Sequence, residues 1–255
     1  MTRRRLRELT GRYGKLRIAV VGDYCLDRYL EIDPQRRERS LETGLPVYNV
    51  VRVRAQPGAA GTIVNNLVAA GVGRVHAVGL CGEEGEGYEL RRALGALPAV
   101  VLDDFLQTSR RRTFTYTKPL VWEPGRPPRE LNRLDLKNWT KTPQTVSGVL
   151  AEAVRRLATE VDAMILLDQV DVPGTGVLTA TVLRAVKDAL KREPDLLVLA
   201  DSRRGLRGFP AVMWKMNVRE LGLLLRARRG LSGRGLEAAA LRLALRNRQP
   251  VVVTL

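Results

Sequence analysis

Ile18-Ala19-Val20-Val21-Gly22-Asp23 is the stretch that decides the fold of this chain, because a short, wholly apolar run ends there at a glycine and a carboxylate. A β-strand that is covered on both faces has this pattern. Similar apolar runs recur along the sequence, at residues 75–78, 100–102, 164–167, 196–199, 212–216 and 251–253. We therefore predict a series of buried strands.

Stretches with apolar residues at helical spacing lie between these strands, at residues 62–70, 86–94, 146–158, 177–190, 220–226 and 236–245. Strands that alternate with helices predict an α/β fold, with a mainly parallel sheet flanked by helices. At the amino terminus, Leu6, Leu9 and Tyr13 predict a short helix that turns these side chains inward. We expect residues 1–255 to form a single domain.

Two segments, at about residues 28–54 and 111–134, break this alternation. In Arg112-Thr113-Phe114-Thr115-Tyr116-Thr117 the side chains alternate between polar and apolar, and 130–134 is read as a further strand. Such alternation indicates a sheet with one face in water. We predict that the two segments form a small β-sheet lid beside the main sheet.

The composition excludes some classes of protein. No apolar run of about 18 residues occurs, so the sequence predicts no membrane span, and residues 1–7 do not resemble a secretory signal. The two cysteines, Cys25 and Cys81, are expected to be buried thiols of a cytoplasmic protein. Likewise His76, the single histidine, lies in an apolar strand and is expected to be a core residue.

The net charge of +16 raises the alternative of nucleic-acid binding. The basic residues are spread from Arg3 to Arg248, and the few aromatic residues do not alternate with them, which argues against this partner. Two interpretations of the charge stay open. One is a solvated basic surface, and the other is a basic rim that attracts phosphorylated ligands.

Polar residues follow the strands where a ligand crevice would lie in an open α/β sheet. Asp23 follows the first strand, and there it would either cap the next segment or accept hydrogen bonds from the hydroxyls of a polyol. Asp27 is a weaker candidate. Gly58 precedes a helix, where it serves either tight packing or the close approach of a ligand. Thr62 and Asn66, one turn apart on that helix, share a face.

Later strands end in a second set of polar residues. Asp201 follows one strand, Asn217 follows the next, and Asp168 leaves the same predicted edge. Asn217 and Glu220 have the spacing of a helix capping box, and they also suit a hydrated Mg²⁺ near nucleotide phosphates. Arg112 and Lys118, on the predicted lid, would either keep its edge solvated or hold a phosphate group.

Six segments follow one another in a characteristic order. They are Val20-Val21-Gly22-Asp23-Tyr24-Cys25-Leu26-Asp27-Arg28-Tyr29, residues 57–71, Val78-Gly79-Leu80-Cys81-Gly82, Arg133-Leu134-Asp135, Asp201-Ser202-Arg203 and Asn217-Val218-Arg219-Glu220. Over about residues 16–255 their order and spacing resemble the PfkB-type, ribokinase-like carbohydrate kinases. The resemblance is strongest to the kinase domain of the bacterial bifunctional heptose-phosphate kinases and adenylyltransferases (RfaE/HldE).

The resemblance implies ATP-dependent phosphorylation of a sugar or sugar phosphate, with ATP and Mg²⁺ as cofactors and a ribokinase-like fold with a β lid. It places Asp23, Gly58, Thr62, Asn66, Arg112 and Lys118 at the sugar, and Asp201, Asn217 and Glu220 at the nucleotide and its Mg²⁺. Exposed apolar faces and strand edges would favour dimerisation, and we expect a possible homodimer formed through the lid.

The chain departs from the family pattern at several positions. Ala59 stands where the family has a second glycine, Thr62 replaces a sugar-binding asparagine, and residues 167–172 contain no lysine. The Gly-Ala-Gly-Asp loop that carries the family's catalytic base does not occur in the 255 residues. We therefore expect this base, and the last part of the fold, beyond Leu255, and a chain that is nearly inactive by itself. The alternative is a non-catalytic binder of sugar phosphates or nucleotides, or a partner subunit.

Overall fold

The computed structural model describes residues 2–227 and 230–255, in which elements are numbered along the chain. Eight described strands form a large sheet in the order β13-β12-β11-β10-β1-β4-β5, with β6 beside β4, and every pairing in it is parallel. They are β1 (Arg17–Gly22), β4 (Arg74–Cys81), β5 (Val100–Val101), β6 (Phe105–Gln107), β10 (Ala163–Asp168), β11 (Leu197–Ser202), β12 (Met213–Asn217) and β13 (Val251–Thr254).

Helices cover this sheet because the apolar strand residues point to both faces. On one face α2 and α3 pack against Val20 and Val75, and on the other α4 to α7 pack against Ala19, Leu166 and Trp214. The described helices are α1 (Arg3–Thr10), α2 (Ala60–Ala69), α3 (Gly85–Gly95), α4 (Gln144–Leu157), α5 (Ala180–Arg192), α6 (Val218–Leu225) and α7 (Gly233–Asn247), with a short 3₁₀ helix at Tyr13–Lys15. The predicted α/β fold is confirmed.

A second, mixed sheet stands beside the first, as the alternating segments predict. Its strands are β2 (Tyr24–Arg39), β3 (Pro46–Ala59), β7 (Phe114–Val121), β8 (Arg129–Glu130) and β9 (Leu134–Leu136), in the order β3-β2-β7-β8 with β9 beside β7. The hairpin of β2 and β3 extends beyond the predicted 28–54 at both ends. We call this sheet the lid. Because only Asp23 separates β1 from β2, the lid begins directly at the carboxyl edge of the large sheet.

The order of strands reverses at β1, which lies between β10 and β4. The chain leaves β1 towards β4 and later returns on the other side at β10, so a crevice opens at the carboxyl ends of β1 and β10. The two strands approach closely there. Only glycine fits at position 22, because a Cβ on Gly22 would collide with the carbonyl group of Leu167.

Three local predictions were wrong. Helix α1 forms but buries no residue, and Leu6 is 45% exposed, because its arginine-rich sequence stays in water. The predicted strand at 130–134 is split into β8 and β9. Strands β11 and β13 are covered on one face only, since α6 and α7 lie on the face of Trp214, leaving Leu197 52% exposed and Val252 41% exposed on the other.

The core contains the residues expected there. Cys25 and Cys81 are buried free thiols, and burial raises the pKa of Cys81 to about 11. His76 is buried in β4, and this burial lowers its pKa, so the imidazole is neutral.

Among residues 2–227 and 230–255, no helix combines the length and the apolar character that crossing a bilayer requires.

Candidate functional site

The carboxyl edge of the large sheet gathers the polar residues that the sequence singles out. Asp23 follows β1, Asp168 ends β10, Asp201 lies near the end of β11, and Asn217 ends β12. These strands are neighbours and parallel, so the four residues lie along one edge. With about 4.8 Å between adjacent strands, Asp23 and Asn217 are separated by about 15 Å across the sheet. We call this row of residues the rim.

Asp23 is buried at the rim and holds a loop in place. Its carboxylate oxygens accept hydrogen bonds from the backbone N–H groups of Gln169 and Val177, both at 2.7 Å. A Cβ on Gly176 would collide with the carboxylate, so only glycine fits beside it. Burial raises the pKa of Asp23 to about 6, and the nearby Asp168 adds to the shift. Asp23 therefore fastens loop 169–177 across the crevice, and does not cap the segment that follows it.

Asp27, on the lid, is less buried than Asp23, and its side chain is 18% exposed. Its Oδ1 accepts a hydrogen bond from Lys118 Nζ at 2.8 Å, and Tyr29 Oη lies 3.4 Å from the same Nζ. A Cβ on Gly58 would collide with Asp27 Oδ2, which has no hydrogen-bond partner in the described part of the chain. Although burial alone would lower the pKa of Lys118, the hydrogen bond with Asp27 and its negative charge raise it.

The neighbours of Asp27 are set by strand register. Asp27 lies opposite Tyr116 in the parallel pairing of β2 with β7, while Cys25 lies opposite Gly58 in the antiparallel pairing of β2 with β3. Since alternate residues share a face, Asp27, Gly58 and Lys118 meet on one side of the lid. The alternation of β2 and β7 in the sequence was the only signal, and it does not specify register.

The start of α2 combines an unusual backbone with exposed polar side chains. Ala59 precedes the helix with φ 52° and ψ −117°, a conformation that favours glycine. Thr62 and Asn66 are exposed and lie one turn apart, on the shared face that their spacing predicts. Position 59 therefore has a backbone conformation that suits glycine, although alanine occupies it.

Asn217 and Glu220 form the helix cap that the sequence offered as one alternative. Asn217 Oδ1 accepts from the backbone N–H of Glu220 at 2.9 Å, and Glu220 Oε2 accepts from the backbone N–H of Asn217 at 2.8 Å. Asp201 pairs with Lys215 at 2.8 Å. Within the described ranges no group of three or more His, Cys, Asp or Glu residues is arranged to hold a metal ion.

The basic residues of 110–112 have separate positions. Arg112 is exposed, and its backbone exchanges hydrogen bonds with the side chain of Asn138. Arg111 is 4% exposed and donates to the carbonyl groups of Thr140, at 3.0 Å, and Thr175, at 2.5 Å. Arg111 therefore ties the segment after the lid to loop 169–177.

Sequence comparison finds curated relatives of this chain. The chain is 32% identical over 188 residues to the bifunctional protein HldE of Gluconobacter oxydans, and 33% identical over 187 residues to that of Syntrophotalea carbinolica. These alignments cover 74% and 73% of the chain. The chain belongs to the PfkB, ribokinase-like carbohydrate kinase family. It spans about a third of the length of these relatives, with 36% and 35% covered.

Solved structures share the fold of this chain. Phosphofructokinase-2 of Escherichia coli, in complex with substrates and products, matches with a TM-score of 0.64 at 15% identity, covering 93% of this chain and 72% of that one. Ribokinase of Arabidopsis thaliana, complexed with ribose and ATP, matches with a TM-score of 0.58 at 18% identity, covering 93% and 71%. At these identities the likeness shows the fold alone. No family model matches the chain.

Proposed function

We propose that the chain is the sugar-binding part of an ATP-dependent carbohydrate kinase that acts on a sugar or sugar phosphate, in the manner of a heptose-phosphate kinase. The carrying observation is the half-buried pair of Asp27 and Lys118 beside Gly58, on the lid next to the crevice of the large sheet. A carboxylate with a free oxygen, next to a fixed cation and a backbone without a Cβ, suits the vicinal hydroxyl groups of a sugar.

In this proposal Asp27, and not Asp23, accepts hydrogen bonds from the hydroxyl groups of the sugar. The family resemblance had placed Asp23 there. Lys118 neutralises Asp27 and donates to the sugar, and Gly58 leaves room for the Asp27 carboxylate against β3. Thr62, Asn66 and Arg112 are exposed and stay candidates for further sugar contacts. Asp23 supports the site indirectly, because it holds loop 169–177 on the carboxyl edge.

The nucleotide belongs, in this proposal, at the far end of the rim. Glu220 Oε1 and Asp201 Oδ1 have no partners among the described residues, so two carboxylate oxygens remain for water molecules around Mg²⁺. Mg²⁺ usually keeps several waters and is held by one or two carboxylates together with phosphates. In this proposal the two residues would hold such an ion through its waters, since no group of three or more His, Cys, Asp or Glu in the described ranges is arranged to hold a metal directly. Bound with ATP, Mg²⁺ neutralises phosphate charge during phosphoryl transfer.

The test separates binding from turnover. Since no Gly-Ala-Gly-Asp motif occurs in the 255 residues, we expect the chain to bind heptose 7-phosphate in calorimetry while producing almost no ADP in a coupled assay. Asp27→Asn should weaken binding by about tenfold or more, because it removes a charge-assisted acceptor. Asp103→Asn is the matched control, since Asp103 is exposed and makes no side-chain hydrogen bond or ion pair with the other described residues. Equal affinity in Asp27→Asn and wild type would refute the site. ADP formation at ordinary kinase rates would refute the expectation that the 255 residues lack the catalytic base.

We also propose that two copies associate through the lid. Apolar side chains on it are exposed, with Tyr48 62%, Val51 52%, Val53 50% and Leu134 62% accessible, and β3 is an edge strand. Sedimentation equilibrium should show a dimer that Val53→Lys converts to a monomer. A wild-type monomer at all concentrations would exclude this assembly.

A further inference from the structure

Asp171 connects the lid to the large sheet through two cations. Its Oδ2 lies 2.8 Å from Lys137 Nζ, just after β9, and its Oδ1 lies 3.7 Å from Arg203 Nη1, just after β11. The hydrogen bond from Lys137 lowers the pKa of Asp171, so the carboxylate is ionised at neutral pH. The Asp171 carboxylate thus lies between Lys137, which follows the last strand of the lid, and Arg203, which follows β11 of the large sheet.

The lid side of this place carries further charge. Arg133 and Lys137 both lie over the ring of Tyr116, at 5.0 and 5.8 Å from its centre. Asp135 accepts from Arg133 at 2.6 and 2.8 Å, and it lies 3.5 Å from Lys137. We call Arg133, Lys137, Arg203, Asp135 and Asp171 the junction cluster. It holds three cations and two carboxylates, and without Asp171 it would carry two unbalanced positive charges.

Asp171 can leave this position without disturbing the core. Its side chain is 46% exposed and that of Arg203 is 54% exposed, so water already reaches both partners. Ion pairs this open contribute little to stability. Loop 169–177 stays fixed at both ends by Asp23, and in between Val170 packs against Cys25 and Phe114. A rotation of the Asp171 side chain would take its carboxylate away from Lys137 and Arg203, and would leave Lys137 with Asp135 as its remaining anionic neighbour.

We propose that Lys137 and Arg203 form a binding site for a phosphate monoester, and that the carboxylate of Asp171 occupies this site when no ligand is bound. A phosphate monoester carries between one and two negative charges at neutral pH and offers three acceptor oxygens. It can therefore accept from both cations at once, where a carboxylate offers two oxygens and one charge. The site would hold the phosphate of the sugar phosphate proposed above, and in that respect it rests on the proposed function.

The test measures binding of inorganic phosphate to the whole chain by calorimetry at low chloride, for wild type and Asp171→Asn. Removing the competing carboxylate should strengthen phosphate binding about fivefold. Lys137→Gln and Arg203→Gln, each made in the Asp171→Asn background, should each weaken it about tenfold or more. Lys191→Gln is the matched control, because Lys191 is an exposed lysine paired with Asp188 on α5.

Weaker or unchanged phosphate binding in Asp171→Asn would overturn the proposal and make Asp171 a plain structural link. Unchanged binding in either of the two glutamine variants would overturn it as well. Circular dichroism and thermal melting of each variant show that the chain is folded when binding is measured. This experiment needs neither ATP nor turnover, so it can fail while the kinase proposal holds, and it can succeed when the kinase proposal fails.

Discussion

Replacing Ala59 by glycine should stabilise the protein, although glycine usually destabilises. Ala59 has φ 52° and ψ −117°, where a Cβ is crowded by its own backbone, and such a residue costs about 1–3 kcal/mol. Glycine removes this cost. Against it stand about 0.4 kcal/mol for a half-buried methyl group and about 0.4–1 kcal/mol for the greater freedom of glycine in the unfolded chain. We expect a net gain of about 1 kcal/mol in the free energy of unfolding.

Urea unfolding and thermal melting measure this gain. For a chain of this size 1 kcal/mol corresponds to a rise in Tm of about 2–4 °C. Ala69→Gly is the matched control, since Ala69 is exposed near the end of the same helix, and glycine there should cost up to about 1 kcal/mol. The two variants should therefore shift stability in opposite directions. A loss in Ala59→Gly as large as that in Ala69→Gly would refute the reasoning.

Three further predictions concern the rim. Because the pKa of Asp23 is raised to about 6 in the folded protein, the folded state holds a proton that the unfolded state has released between about pH 4 and pH 6. The stability of wild type relative to Asp23→Asn should thus fall by up to about 3 kcal/mol over that range and level off above it. Asn217→Ala should lower the free energy of unfolding by about 1 kcal/mol, and Asn217→Ser, which can still cap α6, should retain most of it. Gly176→Ala should cost about 2 kcal/mol or more, because its Cβ meets the Asp23 carboxylate, whereas Gly148→Ala, in open space on α4, should stabilise by up to about 1 kcal/mol.

Urea titrations at several pH values test all three. A stability difference between wild type and Asp23→Asn that stays flat or rises from pH 4 to pH 6 would show that burial does not raise the Asp23 pKa. Equal stabilities for the alanine and serine variants of Asn217 would show that the capping bond contributes nothing. Equal effects of alanine at 176 and 148 would show that loop 169–177 has room beside Asp23.

Strand and helix positions were largely predictable because the signals are local. The run at 18–21 became β1 and the helical spacing at 146–158 became α4. The capping box of Asn217 and Glu220 is equally local, as it joins residues three apart. The sequence leaves open what distant segments decide. It offered Asp23 as either a cap or a ligand contact, and the structure gives its carboxylate the partners Gln169 and Val177, about 150 positions away along the sequence.

The sequence by itself determined the α/β alternation, the lid segments, and the carboxyl-edge positions of Asp23, Asp201 and Asn217, because hydrophobic periodicity and parallel topology are enough to specify them. Only the tertiary structure decided that Asp27 pairs with Lys118, that Asp171 lies between Lys137 and Arg203, and that one face of β11 and β13 is open. The physical reason is that the partners of a charged side chain depend on strand register and loop path. Both result from the packing of the whole chain, and a single segment does not encode them.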